Sequence, residues 1–266
     1  MKKLFFLCAM ILLTLSLSRF SLAQAEEEGM LHAQKINTSV AFEYFSRKIG
    51  WDVTHSSNLR SLFFTLNLEI EFPKELSSNT IFGYSFSNYK DLTFRGLPFS
   101  LKIGEETGTV RGFIIGEEIR KGLIASEKLK IDGLGQILGF LGLKKEWQIQ
   151  GLAVPGTAEG HANWWRVSLG PVFTYRGSTS FFPYLYLNLN TLWGTFNMQE
   201  TVGELQATEK QKMYSKSFFS IAAGFNYELT PALILKGEVS LLPYKGGAEY
   251  KGGADSGLMI KAMYSF

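Results

Sequence analysis

The sequence predicts an antiparallel β-barrel that crosses a membrane with its strands. Three observations carry this expectation: a leader with a small-residue ending, period-two alternation through most of the remaining chain, and a last strand that alternates up to an aromatic final residue. A strand that alternates in this way puts one face against an apolar surround and the other against a polar one.

The leader comes first. Lys2 and Lys3 open it, an apolar run extends from Leu4 to about Leu17, and Ser21-Leu22-Ala23-Gln24-Ala25 closes it with an Ala-x-Ala ending. This order of charge, apolar core and small residues is that of a secretory signal. The run falls short of the roughly 20 residues that a spanning helix needs. Residues 1–25 are therefore expected to be cleaved, leaving a periplasmic N-terminal tail at 26–38 and a barrel at 39–266. Cleavage removes Lys2, Lys3 and Arg19 with no acid, taking the formal charge from +3 to zero. No basic surface then remains to argue for nucleic acid. Cys8, the only cysteine, leaves with the leader, so a disulfide or thiolate metal site is not expected.

The first clear strand is Phe64 to Phe72. Phe64, Leu66, Leu68, Ile70 and Phe72 form one face; Thr65, Asn67, Glu69 and Glu71 form the other. Pro73 ends it, having no N–H for the ladder. Further on, Trp165, Val167, Leu169, Phe173 and Tyr175 share a face, as do Leu185, Leu187 and Leu189 opposite Tyr184, Tyr186, Asn188 and Asn190. Phe219 to Leu229 and Leu233 to Leu241 repeat the pattern around a tight Thr230-Pro231 turn. Short turns thus alternate with longer connections, among them a polar stretch near 197–212 and a glycine-rich one from Gly246 to Gly257. Membrane barrels have this asymmetry, together with aromatic girdles at both interfaces. Trp51, Phe72, Trp147, Trp164, Trp165, Tyr175, Phe181, Trp193, Tyr214 and Tyr227 are the girdle candidates.

The ending is the most specific feature. Leu258, Ile260, Ala262, Tyr264 and Phe266 occupy alternate positions up to the final residue. This resembles the C-terminal signature of bacterial outer-membrane β-barrel proteins, the superfamily that includes small OmpA-like and porin-like barrels. The resemblance implies an integral outer-membrane location in a Gram-negative cell, contact with outer-membrane lipids and lipopolysaccharide, and recognition of these five residues by the barrel-assembly machinery. It names no oligomeric state.

Strands are expected near 39–48, 61–72, 79–90, 145–154, 163–176, 180–195, 213–229, 231–242 and 256–266. A bacterial single-chain barrel has an even strand number. Region 91–144 must then add an odd number, with candidates at 92–104, 108–119 and 121–131, and with Leu134 to Leu141 as a short helix or inserted loop. Ten strands are expected, within a range of eight to twelve, with both termini periplasmic.

The inward positions carry paired charge. Glu69, Glu71, Arg166, Glu228, Lys236, Glu238 and Lys261 are expected to form a polar network inside a barrel narrow enough for side chains to fill. Charges in such a place need partners or water. The network reads either as a salt-bridged plug or as the lining of a narrow pore.

Chemistry has few candidates. His32 falls in the tail, and His161 and His55 fall in expected loops. The grouping His55-Ser56-Ser57-Asn58 is similar to the active-site sequence of outer-membrane lipid A deacylases. That resemblance makes His55 the base, Ser57 the nucleophile and Asp52 or Glu43 the orienting carboxylate, roles general to hydroxyl nucleophiles. In that family the grouping lies near the end of a shorter chain; here it follows the first strand. The glycine-rich segment Gly246–Gly253 lacks the Gly-Lys-Ser/Thr ending of a phosphate loop. No cofactor or metal is expected. The sequence thus supports a structural or surface-interaction barrel with a possible narrow pore, and alternatively a lipid-modifying hydrolase.

Overall fold

A computed structural model describes residues 35–51, 56–90, 92–98, 101–102, 108–149, 156–215, 219–230, 232–242 and 255–265. Every regular element among them is a strand. They are β1 (Lys35–Gly50), β2 (Ser56–Phe72), β3 (Leu76–Lys90), β4 (Thr93–Phe94), β5 (Leu101–Lys102), β6 (Val110–Ala125), β7 (Leu129–Gly142), β8 (Lys145–Ile149), β9 (Gly156–Tyr175), β10 (Phe181–Val202), β11 (Leu205–Ser215), β12 (Phe219–Thr230), β13 (Leu233–Leu242) and β14 (Asp255–Ser265). Twelve belong to one antiparallel sheet, and β4 and β5 pair only with each other.

The sheet closes on itself. β1 pairs with β2 and β14, the ladder runs on through β3, β6, β7 and β9, and β10 joins β9 to β12, whose far side leads through β13 back to β14. Closure pairs both sides of β1, β2, β3, β6, β7, β9, β10, β12, β13 and β14, so the ring has no edge strand. β7 and β8 lie end to end along β9, with Leu141 opposite Asn163 and Lys145 opposite Gly160. β11 and β12 lie end to end along β10 in the same manner. Above the β13–β14 hairpin, the top of β1 pairs directly with β11 through Gly50 and Tyr214.

One rim carries the short turns at 73–75, 126–128 and 176–180. The start of β1 and the end of β14 meet at that rim, where Asn37 lies opposite Ser265. Lys74 and Glu75 hold positive φ there, 61° and 55°. The opposite rim carries the 92–98 segment and the β10–β11 hairpin. Gly203, at φ 59°, fills the first central position of that hairpin's two-residue turn, the place that type II′ geometry reserves for glycine.

Several sequence expectations change. Among the described residues, region 91–144 supplies two long strands, β6 and β7, beside the two-residue β4 and β5. Leu134 to Leu141 is strand, not helix or loop: Leu134, Leu138 and Phe140 turn inward between outward Gly135, Ile137 and Gly139. Outward glycines interrupted the apolar row that would have revealed it. Of the segment expected at 145–154, the described part is β8, which continues β7 upward along β9. The polar stretch near 197–212 is a hairpin, and His161 lies within β9, not a loop. β1 begins at Lys35, inside the stretch expected as tail, because its first residues already pair with β2.

The two faces separate as the alternation predicts. Val40 (57% exposed), Leu66 (65%) and Leu189 (62%) point outward, while Asn67, Asn79, Ser168 and Asn188 are buried inside. Trp165, Tyr175, Phe181, Trp193, Tyr214 and Tyr227 lie on the outer surface as girdle residues would. Trp147 and Trp164 do not: both turn into an apolar core inside the upper barrel.

Candidate functional site

The barrel interior has two storeys. The lower one is a polar chamber of about 110 Å³ lined by Glu43, Glu118, Arg120, Arg166, Tyr184, Lys236 and Glu238, among others. Alternation places these side chains inside; closure brings those of distant strands together. Arg166 on β9 reaches Glu43 on β1 through both guanidinium nitrogens, with Nη2 donating to Oε2 at 3.2 Å. The guanidinium also lies 5.5 Å from the Phe45 ring centroid, so its flat face has an aromatic neighbour. Arg47 Nη1 donates to Asn190 Oδ1 at 2.7 Å, and Tyr184 Oη donates to Glu238 Oε2 at 2.6 Å. Lys236 Nζ sits 5.1 Å from the Tyr184 ring centroid. Gln136 Nε2 donates to Glu118 Oε2 at 3.0 Å.

Toward the rim with the short turns the wall stays polar. Asn37 donates to Glu71 at 2.8 Å, Ser77 donates to Glu69 at 3.1 Å, and Lys130 pairs with Asp132 at 3.2 Å. Glu228 is exposed near this rim, so it stands outside the chamber that the sequence expected it to join. Lys261 lies opposite Ala41 and Lys236 in the ladder; its side chain falls outside the described residues.

The upper storey is apolar, which the inward charge pattern did not foretell. Phe45, Phe63, Phe140 and Trp164 form a layer directly above the chamber, with Phe140 stacked on Trp164 at 5.2 Å. Gly112 makes room for it, since a Cβ there would meet the Phe140 ring at 2.3 Å. A second layer of Trp51, Tyr89, Trp147 and Phe196 lies higher. Leu92 and Leu97, from the segment between β3 and β6, fold inward to complete it. Burying so many aromatic and aliphatic side chains drives water from this half of the barrel.

The 91–98 segment is held from the side. Glu209 accepts the Arg95 backbone N–H at 2.7 Å, and Glu200 is fully buried beside Gly96. This part of β10 lies above Trp193, where Thr195, Asn197, Gln199 and Thr201 replace the apolar outward row. Burial, then the nearby Glu209 carboxylate, pushes the Glu200 carboxyl above the usual carboxylate range, while the Gly96 and Leu97 amides oppose the shift.

The hydrolase grouping is placed only in part. Ser57 is buried and its Oγ accepts Trp51 Nε1–H at 2.6 Å. Asp52 and His55 lie outside the described residues. Glu43 is committed to Arg166, and it lies opposite Phe63 whereas Ser57 lies opposite Ile49. At strand rise the two positions are about 20 Å apart, too far for Glu43 to orient a base there. Among the described residues no three His, Cys, Asp or Glu side chains are grouped to hold a metal.

Sequence reasoning missed Arg47, Glu118 and Arg120 as chamber residues. Glu118 and Arg120 fell in the unreadable region, and Arg47 sits between inward Phe45 and Ile49, where only register places it.

No family model and no curated protein matches this chain. Solved structures do. The outer membrane protease OmpT from Escherichia coli superposes with a TM-score of 0.50 at 13% identity, covering 88% of this chain and 99% of that one. The translocator domain of the autotransporter NalP from Neisseria meningitidis gives 0.48 at 11%, covering 95% and 96%. Ail of Yersinia pestis gives 0.34 at 10%, covering 88% and 100%. The fold is that of the bacterial outer-membrane β-barrel superfamily. Identities this low speak for the fold alone.

Proposed function

We propose that this protein is a closed outer-membrane barrel of ten staves that presents a rigid β-platform at the cell surface. β7 with β8, and β11 with β12, each serve as one stave, and both chain ends and the short turns face the periplasm. The observation that carries the reading is the apolar upper storey: continuous side-chain packing stands where a pore would need a water path. β9 and β10 have 20 and 22 residues. About 9–11 residues suffice to cross a bilayer, so both walls continue well beyond the lipid. The outward apolar belt meets outer-membrane lipids and lipopolysaccharide, and the Leu258-to-Phe266 row serves the barrel-assembly machinery. The polar chamber beneath is a salt-bridged plug.

Two measurements test this. In planar bilayers the purified protein gives no steady conductance steps; regular steps would establish a pore instead. An epitope inserted between Gly203 and Glu204 is reached by antibody on intact cells; labelling only after lysis would invert the orientation. The lipid-hydrolase reading has less support, since Ser57 is buried against Trp51. Loss of lipid A deacylation in a Ser57→Ala strain would restore it.

A further inference from the structure

The outward rows change character just above the apolar belt on β1, β2 and β3. Ser46 and Lys48 on β1, Asn58 and Arg60 on β2, and Asn88 and Lys90 on β3 alternate with buried Arg47, Leu59 and Tyr89, so all six lie on the outward face. The ladder sets them in two rows, Lys48–Asn58–Lys90 above and Ser46–Arg60–Asn88 below. Leu62 and Phe86 stand one step lower, where the apolar belt begins. Lys48 and Lys90 are thus two strand spacings apart, about 10 Å, with Arg60 beneath and between them. Among the described residues no carboxylate shares the outward face of these three strands above Leu62. Arg111 on β6, opposite Phe86, and Lys210 and Lys212 on β11 extend the positive sign to either side. The rim with the short turns differs. There Glu75, Glu127 and Glu228 lie among Lys74, Lys128 and Arg176, and Glu75 pairs with Lys130 at 3.4 Å.

Like charges on neighbouring strand positions repel, and an anion set between them removes the cost. Donors for such an anion are at hand. Lys90 is exposed, and its ammonium has three N–H groups and no partner among the described residues. Asn58 accepts the Ser46 hydroxyl through Oδ1 at 3.5 Å, and its amide nitrogen, with two N–H groups, has no partner among the described residues. Arg60 adds a guanidinium, whose planar fork matches phosphate oxygens. We propose that this patch holds a phosphate of lipid A, the membrane anchor of lipopolysaccharide. Height selects this source. The patch lies directly above the apolar belt, where acyl chains give way to headgroups, and on the rim that the proposed orientation places outside. Below it, Phe64 and Phe86 meet edge to face at 6.2 Å on the outer surface. The acyl chains of one lipid cover these rings while its phosphate meets the cations. A free phosphate ion would meet the cations alone.

The inference rests on the membrane reading and orientation proposed above. Its test is native mass spectrometry of the protein purified from outer membranes and stripped of lipid in detergent. The protein is titrated with phosphorylated lipid A and, separately, with dephosphorylated lipid A. The phosphorylated form is expected to bind about tenfold more tightly or better. Arg60→Gln with Lys90→Gln is expected to weaken that binding about 25-fold, about fivefold for each charge lost beside an anionic surface. The same pair leaves binding of the dephosphorylated form unchanged, and Arg176→Gln on the opposite rim changes neither. Heat-modifiable gel mobility confirms that each variant is folded, and Lys90→Gln alone, at the exposed end of β3, stands in should the pair fail to fold. Equal affinity for the two lipids, or binding insensitive to the glutamine substitutions, would overturn the site. So would inorganic phosphate that displaces the lipid at equal concentration, since the free ion would then be the occupant. Labelling of the Gly203 epitope only after lysis would overturn the orientation and this inference together; a correctly oriented barrel that binds both lipids alike overturns the inference alone.

Discussion

Arg166 and Glu43, on β9 and β1, meet across the barrel through a two-pronged ion pair at the ceiling of the polar chamber. Both side chains are largely buried, so each depends on the other for the solvation that water no longer supplies. Removing one partner strands the other charge. Arg166→Met is expected to destabilise the barrel by about 3 kcal/mol, and replacing both by leucine to cost less than either single change. Urea unfolding in lipid vesicles, followed by tryptophan fluorescence, measures both. A double replacement as damaging as the sum of the two singles would contradict the pairing.

The aromatic layer above that pair is expected to be the seal. Trp164→Ala with Phe140→Ala removes the stacked pair and should cost about 3–5 kcal/mol for each ring lost. If the layer is what blocks the path, the double variant conducts in planar bilayers while the unaltered protein stays silent. A folded double variant that remains silent would assign the block to the second layer.

Glu200 gives the upper storey a pH dependence. Burial and Glu209 hold its carboxyl above the usual range, so the folded protein binds this proton more tightly than the unfolded chain does. The contribution to stability is therefore greatest at low pH and declines as pH rises through the unfolded value toward the raised folded one. The protection factors of the 92–97 amides, which already allow for base catalysis of exchange, should fall over that interval. Glu200→Gln, neutral at every pH, is expected to abolish the change.

Lys74 holds a left-handed backbone at the β2–β3 turn, which disfavours a side chain with Cβ. Lys74→Gly is expected to stabilise the barrel by up to about 1 kcal/mol, after the entropy that glycine costs the folded state. The carbonyl oxygen that accepts Lys121 Nζ is retained. A lower urea midpoint would instead mean that the lysine side chain matters to the turn.

Phe266 closes the alternating C-terminal row. Its deletion should slow insertion into the outer membrane, with unfolded precursor accumulating in the periplasm. Pulse-chase labelling with heat-modifiable mobility as the readout would reveal normal kinetics if the residue were dispensable.

The sequence by itself determined the strands and which way most of them face. Phe64 to Phe72 alternates without interruption, so its inside and outside are dictated by whether each side chain meets lipid or the interior. It could not place β7, because Gly133, Gly135 and Gly139 leave gaps in the outward row, and a gap carries no hydrophobic signal. Nor could it tell which inward residues would meet. Glu43 and Arg166 are far apart along the chain, and their pairing follows from closure of the sheet between β9 and β10 and from the stagger of each ladder. The same holds for the division into a polar chamber and an apolar seal. Phe45, Phe63, Phe140 and Trp164 come from four strands, and only the tertiary register brings them to one height, where packing excludes water. Glu117 makes the point in reverse: its position in the sequence marks an ordinary acid, and the folded barrel sets it on the outer face against the Ser78 and Thr80 hydroxyls.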